Sequence, residues 1–244
     1  MVTTAQDSKA QHLRETFSRT GNGPLAGIIV ADFGRVLAGP YATMLLADLG
    51  ATVIKVESPG GDDTRLWKPP VREDDATYYL SVNRNKTDVV LDFRDAGDLE
   101  LARELARRAD VVVENFKPGG LVKYGLDHET VARTNPNVIY SSVTGFGPNN
   151  PQPGYDLLVQ GLSGFMSLTG DADGPPYRGG VAIFDVITGL HTTIGILAAL
   201  QHRNRTGEGQ KVDTNLLSSA LSGLANQTSA YVAGGVVPHR MGNE

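Results

Sequence analysis

The sequence predicts an α/β fold, a Rossmann-like doubly wound parallel sheet. Three observations carry that expectation. Short apolar runs such as residues 27–33 (GIIVADF) and 52–57 (TVIKVE) have the form of strands buried on both faces. Such runs alternate with helical stretches along most of the chain. Strand, helix and strand over residues 27–57 make a βαβ unit, whose crossover is parallel and right-handed.

Taken in order, residues 1–23 are polar and lack hydrophobic periodicity, so they read as a flexible tail with a short helix over 10–17. No apolar stretch with a small-residue cleavage site occurs there, and Asp7 and Glu15 argue against a transit peptide. Gly39-Pro40 opens a helix over 41–49, with Gly50 as its stop. Residues 88–93 read as a strand. Asp98 is expected to cap a helix over 99–108, with Leu101, Ala102 and Leu105 on one stripe and a Glu104–Arg108 pair four residues apart. A strand over 111–114, short helices over 119–124 and 129–134, and a strand over 138–144 follow. Helices are expected over 156–168 and 186–202, the second with Ile187, Leu190, Ile194 and Leu197 on one face. A strand over 210–214 precedes a helical segment from Leu216 onward. The expected domain division is a tail over 1–23, a large domain over 24–225, and the start of a linker toward a smaller domain over 226–244.

The function classes excluded are as informative. The chain has 22 basic and 27 acidic residues, a net charge of −5, which excludes a generally basic nucleic-acid binder. Having no cysteine, it has no disulfide framework, zinc thiolate or cysteine nucleophile, and fits a reducing compartment, so a cytoplasmic location is expected. No apolar run reaches the ~18–20 residues of a membrane span. The turn after the first strand, residues 33–40 (FGRVLAGP), lacks the G-x-G-x-x-G of dinucleotide folds, and no Walker A segment is present. The histidines His12, His128, His202 and His239 offer no ligand spacing, so no metal site is expected.

Several segments occur in a specific order: Ala38-Gly39-Pro40; Leu49-Gly50-Ala51 with Val53-Ile54-Lys55-Val56-Glu57; Gly61-Asp62-Asp63-Thr64-Arg65; Asn83-Arg84-Asn85-Lys86; Val113-Glu114-Asn115-Phe116 with Pro118-Gly119; and Gly207-Glu208-Gly209-Gln210. The ordered set resembles the class III CoA-transferases, the family of formyl-CoA transferase, carnitine CoA-transferase and α-methylacyl-CoA racemase, from about Pro24 to the C-terminal end. The resemblance is to the N-terminal portion of that family, whose members are longer, carry a second small domain and form interlocked homodimers. It implies acyl-CoA and carboxylic acids as substrates, with no permanently bound cofactor.

Asp185, in Phe184-Asp185-Val186 directly before a periodic helix, is by pattern alone a plain helix N-cap. The resemblance makes it the catalytic aspartate. A carboxylate nucleophile splits thioester exchange into easier covalent steps and needs no ATP. A helix N-terminus beside it is expected to favour the ionised form. CoA is anionic, so a local cationic site is required. Arg35, Lys55, Lys86, Arg94, Lys117 and Lys123 all fall at or after expected strand ends, where α/β folds place ligands. The resemblance assigns CoA contacts to Arg35, Val36, Ala38, Leu91, Arg94, Asn115, Phe116 and Lys123, and places Tyr155 in the site. Where the racemase branch has histidine this chain has Tyr155, whose ordinary pKa of ~10 is poorly matched to α-proton exchange. A racemase or epimerase and a non-catalytic acyl-CoA-binding chain are the alternatives to a transferase. Arg65 and Arg178 are candidates for a second substrate carboxylate, since arginine forks bind carboxylates bidentately. Trp67 lies nearby in sequence. The substrates expected are succinyl-CoA and a dicarboxylate.

Overall fold

The computed structural model describes residues 5–17 and 21–243. In chain order its elements are α1 (Ala5–Phe17), β1 (Ile29–Asp32), α2 (Ala38–Asp48), β2 (Thr52–Glu57), the hairpin β3 (Val71–Arg72) and β4 (Asp75–Ala76), α3 (Thr77–Asn83), β5 (Lys86–Val90), α4 (Ala96–Arg108), β6 (Val111–Glu114), α5 (His128–Thr134), β7 (Ile139–Thr144), α6 (Asp156–Leu162), α7 (Phe165–Leu168), α8 (Ile183–Thr206), β8 (Gln210–Asn215), α9 (Leu216–Gly223) and α10 (Ala225–Gly234). Six strands form one sheet in the order β5-β2-β1-β6-β7-β8, and every pairing in it is parallel. The strand order reverses between β1 and β6. In open parallel sheets that point leaves a crevice at the strands' carboxyl ends.

Consecutive residues of β1 face opposite layers, as strand pleating requires. Ala31 joins Ile54, Val112 and Tyr140 against α1, α4 and α5, where Leu13, Leu105 and Val131 are buried. Val30 joins Val53, Val113 and Ile139 against α2 and α8, where Leu46, Ile196 and Leu200 are buried. The two helices of that second layer approach closely at Gly189. A Cβ there would lie 2.9 Å from the Ala38 carbonyl oxygen, so a side chain would force them apart.

Several elements differ from expectation. The segment read as a tail is helical over Ala5–Phe17 and docked: Leu13 is buried, and Lys9 Nζ lies 2.6 Å from the Asp98 carboxylate. Asp98 is not the cap expected, because α4 starts before it and Asp98 lies inside the first turn. The N-cap of α4 is Asp95, which accepts from the Gly97 and Asp98 N–H groups. The helix expected over 156–168 is broken, because Gly164 adopts φ 88° between α6 and α7. Residues 225–234, placed mostly in the expected linker, form α10.

α8 begins three residues early and ends four late, and only part of its expected apolar stripe docks: Ile187 and Leu197 pack against the core while the two residues between them do not. Leu190 and Ile194 are 41% and 63% exposed, while Thr188, Gly189, Thr192 and Ile196 are buried. Hydroxyls of Thr188 and Thr193 bond carbonyls one turn back, so threonine passes for an apolar residue on this face. An 18-residue window of α8 has a mean hydropathy of 1.7, so by length and composition it passes for a membrane span, but Ile196, Ala199 and Leu200 of this helix pack in the core beneath the sheet.

Candidate active site

The crevice is built on two loops. After β1 the chain turns through Gly34, Arg35 and Val36, and after β6 through Asn115 and Phe116. Asn115 clamps the first loop in the manner of a backbone strand: its Oδ1 accepts from Arg35 N–H at 2.9 Å and its Nδ2 donates to the Arg35 carbonyl at 2.7 Å. The Arg35 guanidinium then stands over the Phe116 ring, 5.5 Å from its centre, and presents a half-exposed charge. Val36 sits at φ 67°, a conformation that a β-branched residue adopts only under constraint.

Two cavities flank these loops and share Arg35 and Phe116 in their walls. The smaller, about 360 Å³, is lined by Leu91, Arg94, Ser58 and Tyr124 among others. The larger, about 870 Å³, is lined by Val36, Ala38, Asn115, Tyr155 and Asp185, and also by Trp67, Tyr78, Lys117 and Arg178. The expected site residues are therefore brought together, with one exception. Lys123 lines neither cavity and lies over the Tyr124 ring, 4.7 Å from its centre. Arg94 reaches the rim of the smaller cavity while paired with Asp92 at 2.8 Å.

Three of the expected cations are corrected. Lys55 and Lys86 are sealed in the interior with side chains only 1% and 2% exposed, paired with Asp62 and Asp32 at 3.0 Å each. A buried lysine already neutralised by an aspartate is not available to a phosphate. Arg65 is spent on the fold: it bonds both Glu57 carboxylate oxygens, Asp75 and the Tyr79 hydroxyl, and stacks on the Tyr79 ring. Arg178 remains, an exposed arginine in the wall of the larger cavity that also holds Asp185 and Arg35.

Asp185 is not the cap of α8. It lies in the first turn, and the N-cap is Ala182, which makes no side-chain bond. The donors at this helix end are satisfied by Asp156, whose Oδ2 accepts from Phe184 N–H at 2.7 Å and Asp185 N–H at 3.1 Å. Gln160 completes the staple: its Nε2 bonds Asp156 Oδ1, and its Oε1 accepts from Gly179 N–H at 2.8 Å. Asp156 and Gln160 lie four apart on α6, but their targets are 28 and 29 residues on for Asp156 and 19 residues on for Gln160, and no local pattern in the sequence marks them.

The consequence is electrostatic. Burial first, and then the neighbouring Asp156 charge, push the Asp185 carboxyl up to about 7. The expected bias of the helix end toward ionisation is outweighed. Opposite it, burial and then the Asp185 and Asp156 charges raise the Tyr78 hydroxyl, which stays protonated and stacks edge-on to Trp67 at 4.9 Å. His191 is placed elsewhere, bonded to Ser219 at 3.1 Å.

The crevice at the strand-order reversal thus gathers a carboxyl raised into the neutral range and two arginines in one cavity wall, at the place where open parallel sheets bind ligands. Residues 25–244 match the family model of CoA-transferase family III, and the chain belongs to that family. It is 50% identical to the succinate–glutarate CoA-transferase of Agrobacterium fabrum over 230 residues, which are 90% of this chain and 58% of that protein. It is 46% identical to the succinyl-CoA:glutarate CoA-transferase of Mus musculus, over 86% of this chain and 49% of that protein. Among solved structures, a CAIB/BAIF family protein from Brucella suis superposes with a TM-score of 0.88 at 49% identity, covering 91% of this chain and 61% of that one. The chain thus spans about half to three-fifths of the length of the relatives it matches.

Proposed function

We propose that this chain carries the nucleophile and most of the CoA-facing wall of a CoA-transferase that moves CoA from succinyl-CoA to a second dicarboxylate. The observation that carries this is Asp185, a carboxyl in the neutral range in the wall of an 870 Å³ cavity shared with Arg178. The names of the relatives from Agrobacterium fabrum and Mus musculus support the same substrate class.

In this reading the ionised Asp185 oxygen attacks the thioester carbonyl. The C–S bond breaks, leaving a mixed anhydride and CoA thiolate. The thiolate attacks the aspartyl carbonyl, expelling the donor carboxylate and forming aspartyl-CoA. The acceptor carboxylate then repeats both steps in reverse, and no proton or ATP is consumed. A carboxylate with a pKa near 7 is a better nucleophile than one near 4, while remaining substantially ionised at neutral pH.

The residues divide the labour. Arg178 receives the remote carboxylate of the dicarboxylate, the role Arg65 cannot take. Arg35 and Phe116 hold CoA where the two cavities meet, with Arg94 at the rim. The protonated Tyr78 hydroxyl is a donor for the acyl oxygen as it gains charge. Two chains associate in this reading, and the exposed Leu190, Ile194, Tyr231 and Val232 supply apolar surface for that contact.

The test is thioester exchange by the full-length protein. Succinyl-CoA is incubated with four-, five- and six-carbon dicarboxylates and the products are separated by chromatography. New acyl-CoA formed without net loss of CoA thioester is expected. Hydrolysis alone, or epimerisation of an α-methyl thioester, would overturn it.

A further inference from the structure

We propose that the buried Lys55–Asp62 pair is a positioning device for acyl-CoA binding. It holds the Gly34–Val36 loop in the shape that faces the ligand, and it acts on CoA affinity rather than on the chemistry at Asp185. The inference rests on the CoA reading given above.

The backbone of this loop is held almost wholly by side chains. Asp32 Oδ1 accepts from Gly34 N–H at 2.9 Å. Lys55 Nζ donates to the Gly34 carbonyl at 2.9 Å. Asn115 takes both polar groups of Arg35. Asp62 Oδ2 accepts from Val36 N–H at 3.3 Å and is itself bonded by Lys55 at 3.0 Å. Lys55 and Asp62 therefore grip the loop at two points, on either side of the residue whose guanidinium is exposed to ligand.

Two physical points separate this from ordinary core stabilisation. First, burying an ammonium and a carboxylate is costly, and apolar residues of similar volume commonly serve stability as well or better. Filling this space does not call for charge. Second, Val36 is held at φ 67°, where a β-branched side chain stays only if its surroundings over-determine it. The groups that do so are the carboxylate of Asp62 and the Asn115 clamp. Thr64 donates to Asp62 Oδ1 through both N–H and hydroxyl, which keeps Oδ2 turned toward the loop. On the other side Asp32 is fixed by the Thr43 hydroxyl at 2.6 Å and by Lys86 at 3.0 Å. Any change in these anchors moves Arg35 and Val36 together, and both line the larger cavity.

The experiment uses the full-length protein, CoA itself as the titrant, and the variants Lys55→Met, Asp62→Asn and the two combined. The combined variant removes both charges and leaves no unpaired ion, so it is expected to unfold close to the parent temperature. Its CoA dissociation constant is expected to rise about tenfold, as befits the loss of two ordering hydrogen bonds. KM for acyl-CoA should rise in step while kcat falls less than about threefold. A merely structural pair would lower the active fraction, and so kcat, with KM unchanged. That pattern, or a folded combined variant with parental affinity, overturns the proposal. If the combined variant does not fold, Asp62→Asn decides. It keeps one acceptor oxygen, enough for the Thr64 N–H and hydroxyl, and turns an NH2 group toward the Val36 N–H and Lys55, so the loop anchor is lost, and an unchanged dissociation constant there is equally fatal. A parent chain that binds no CoA overturns the underlying reading instead, and the two failures are thereby distinct.

Discussion

Replacing Asp185 by asparagine should abolish turnover and, at alkaline pH, stabilise the protein. The ordinary carboxylate value is 3.8, and in the folded state burial and Asp156 hold Asp185 at about 7. At about 1.4 kcal/mol per tenfold change, full enclosure would make the ionised form cost roughly 4 kcal/mol; because Asp185 keeps some solvent contact, about 2 kcal/mol is the expected figure. The sign follows from proton linkage. A carboxyl raised in the folded state is the stronger proton binder there, so the penalty is absent below about pH 4, grows as pH rises, and is complete above about pH 7. Asparagine carries no charge and preserves the N–H donated to Asp156. The variant should therefore gain about 2 kcal/mol at pH 8 and almost nothing at pH 4. For a chain of this size that is roughly 4–8 °C in melting temperature at pH 8. Paired thermal unfolding scans at the two pH values, with turnover measured alongside, check this. An asparagine variant that is less stable at pH 8, or whose gain does not depend on pH, would refute the burial-and-repulsion account of Asp185. Retained turnover would refute its role as nucleophile.

Other outcomes follow from the same geometry. Asp156→Asn removes the repelling charge while keeping an acceptor for the α8 N-terminus, so the acid limb of the kcat–pH profile should move down by about one pH unit. Arg178→Ala should raise KM for the dicarboxylate acceptor by about 10–100-fold, the worth of charge-assisted hydrogen bonds, with KM for acyl-CoA little changed. Arg65→Ala should instead cost about 2–4 kcal/mol of stability, read from denaturant unfolding, because it leaves the buried Glu57 unpaired. Leu13→Ala should cost about 2–4 kcal/mol and release α1 from α4, measurable as lost amide-exchange protection over Ala5–Phe17.

Most of the order of strands and helices was readable from the sequence because apolar runs and helical periods alternate, but the hairpin β3–β4 and helix α3, between β2 and β5, were not anticipated. β6, with four consecutive buried residues, lies where its run of valines indicates. What escaped was decided by partners distant in sequence. α1 is polar overall and docks through Leu13 and one salt bridge to a residue 89 positions away. Lysines at strand ends look alike in a sequence. Lys55 and Lys86 proved to be interior, because aspartates on other segments fold over them, whereas Arg35 has only a distant ion pair with Asp63 at 3.8 Å and stays at the surface. Around the cavities, Asp185, Tyr155 and the β1 and β6 loop residues are ones that the ordered motifs singled out. Asp156, Gln160 and Tyr78 were not, because their role arises only when α6 and α3 are brought against the start of α8.

The account stands on Asp185 becoming covalently bonded to CoA during turnover. The full-length protein is incubated with succinyl-CoA, quenched in acid and digested, and the peptides are weighed by mass spectrometry. The account predicts a CoA adduct on the peptide containing Phe184-Asp185-Val186, lost on adding an acceptor dicarboxylate and absent from Asp185→Asn. Turnover with no adduct on that peptide, or with an adduct on another residue, would contradict it.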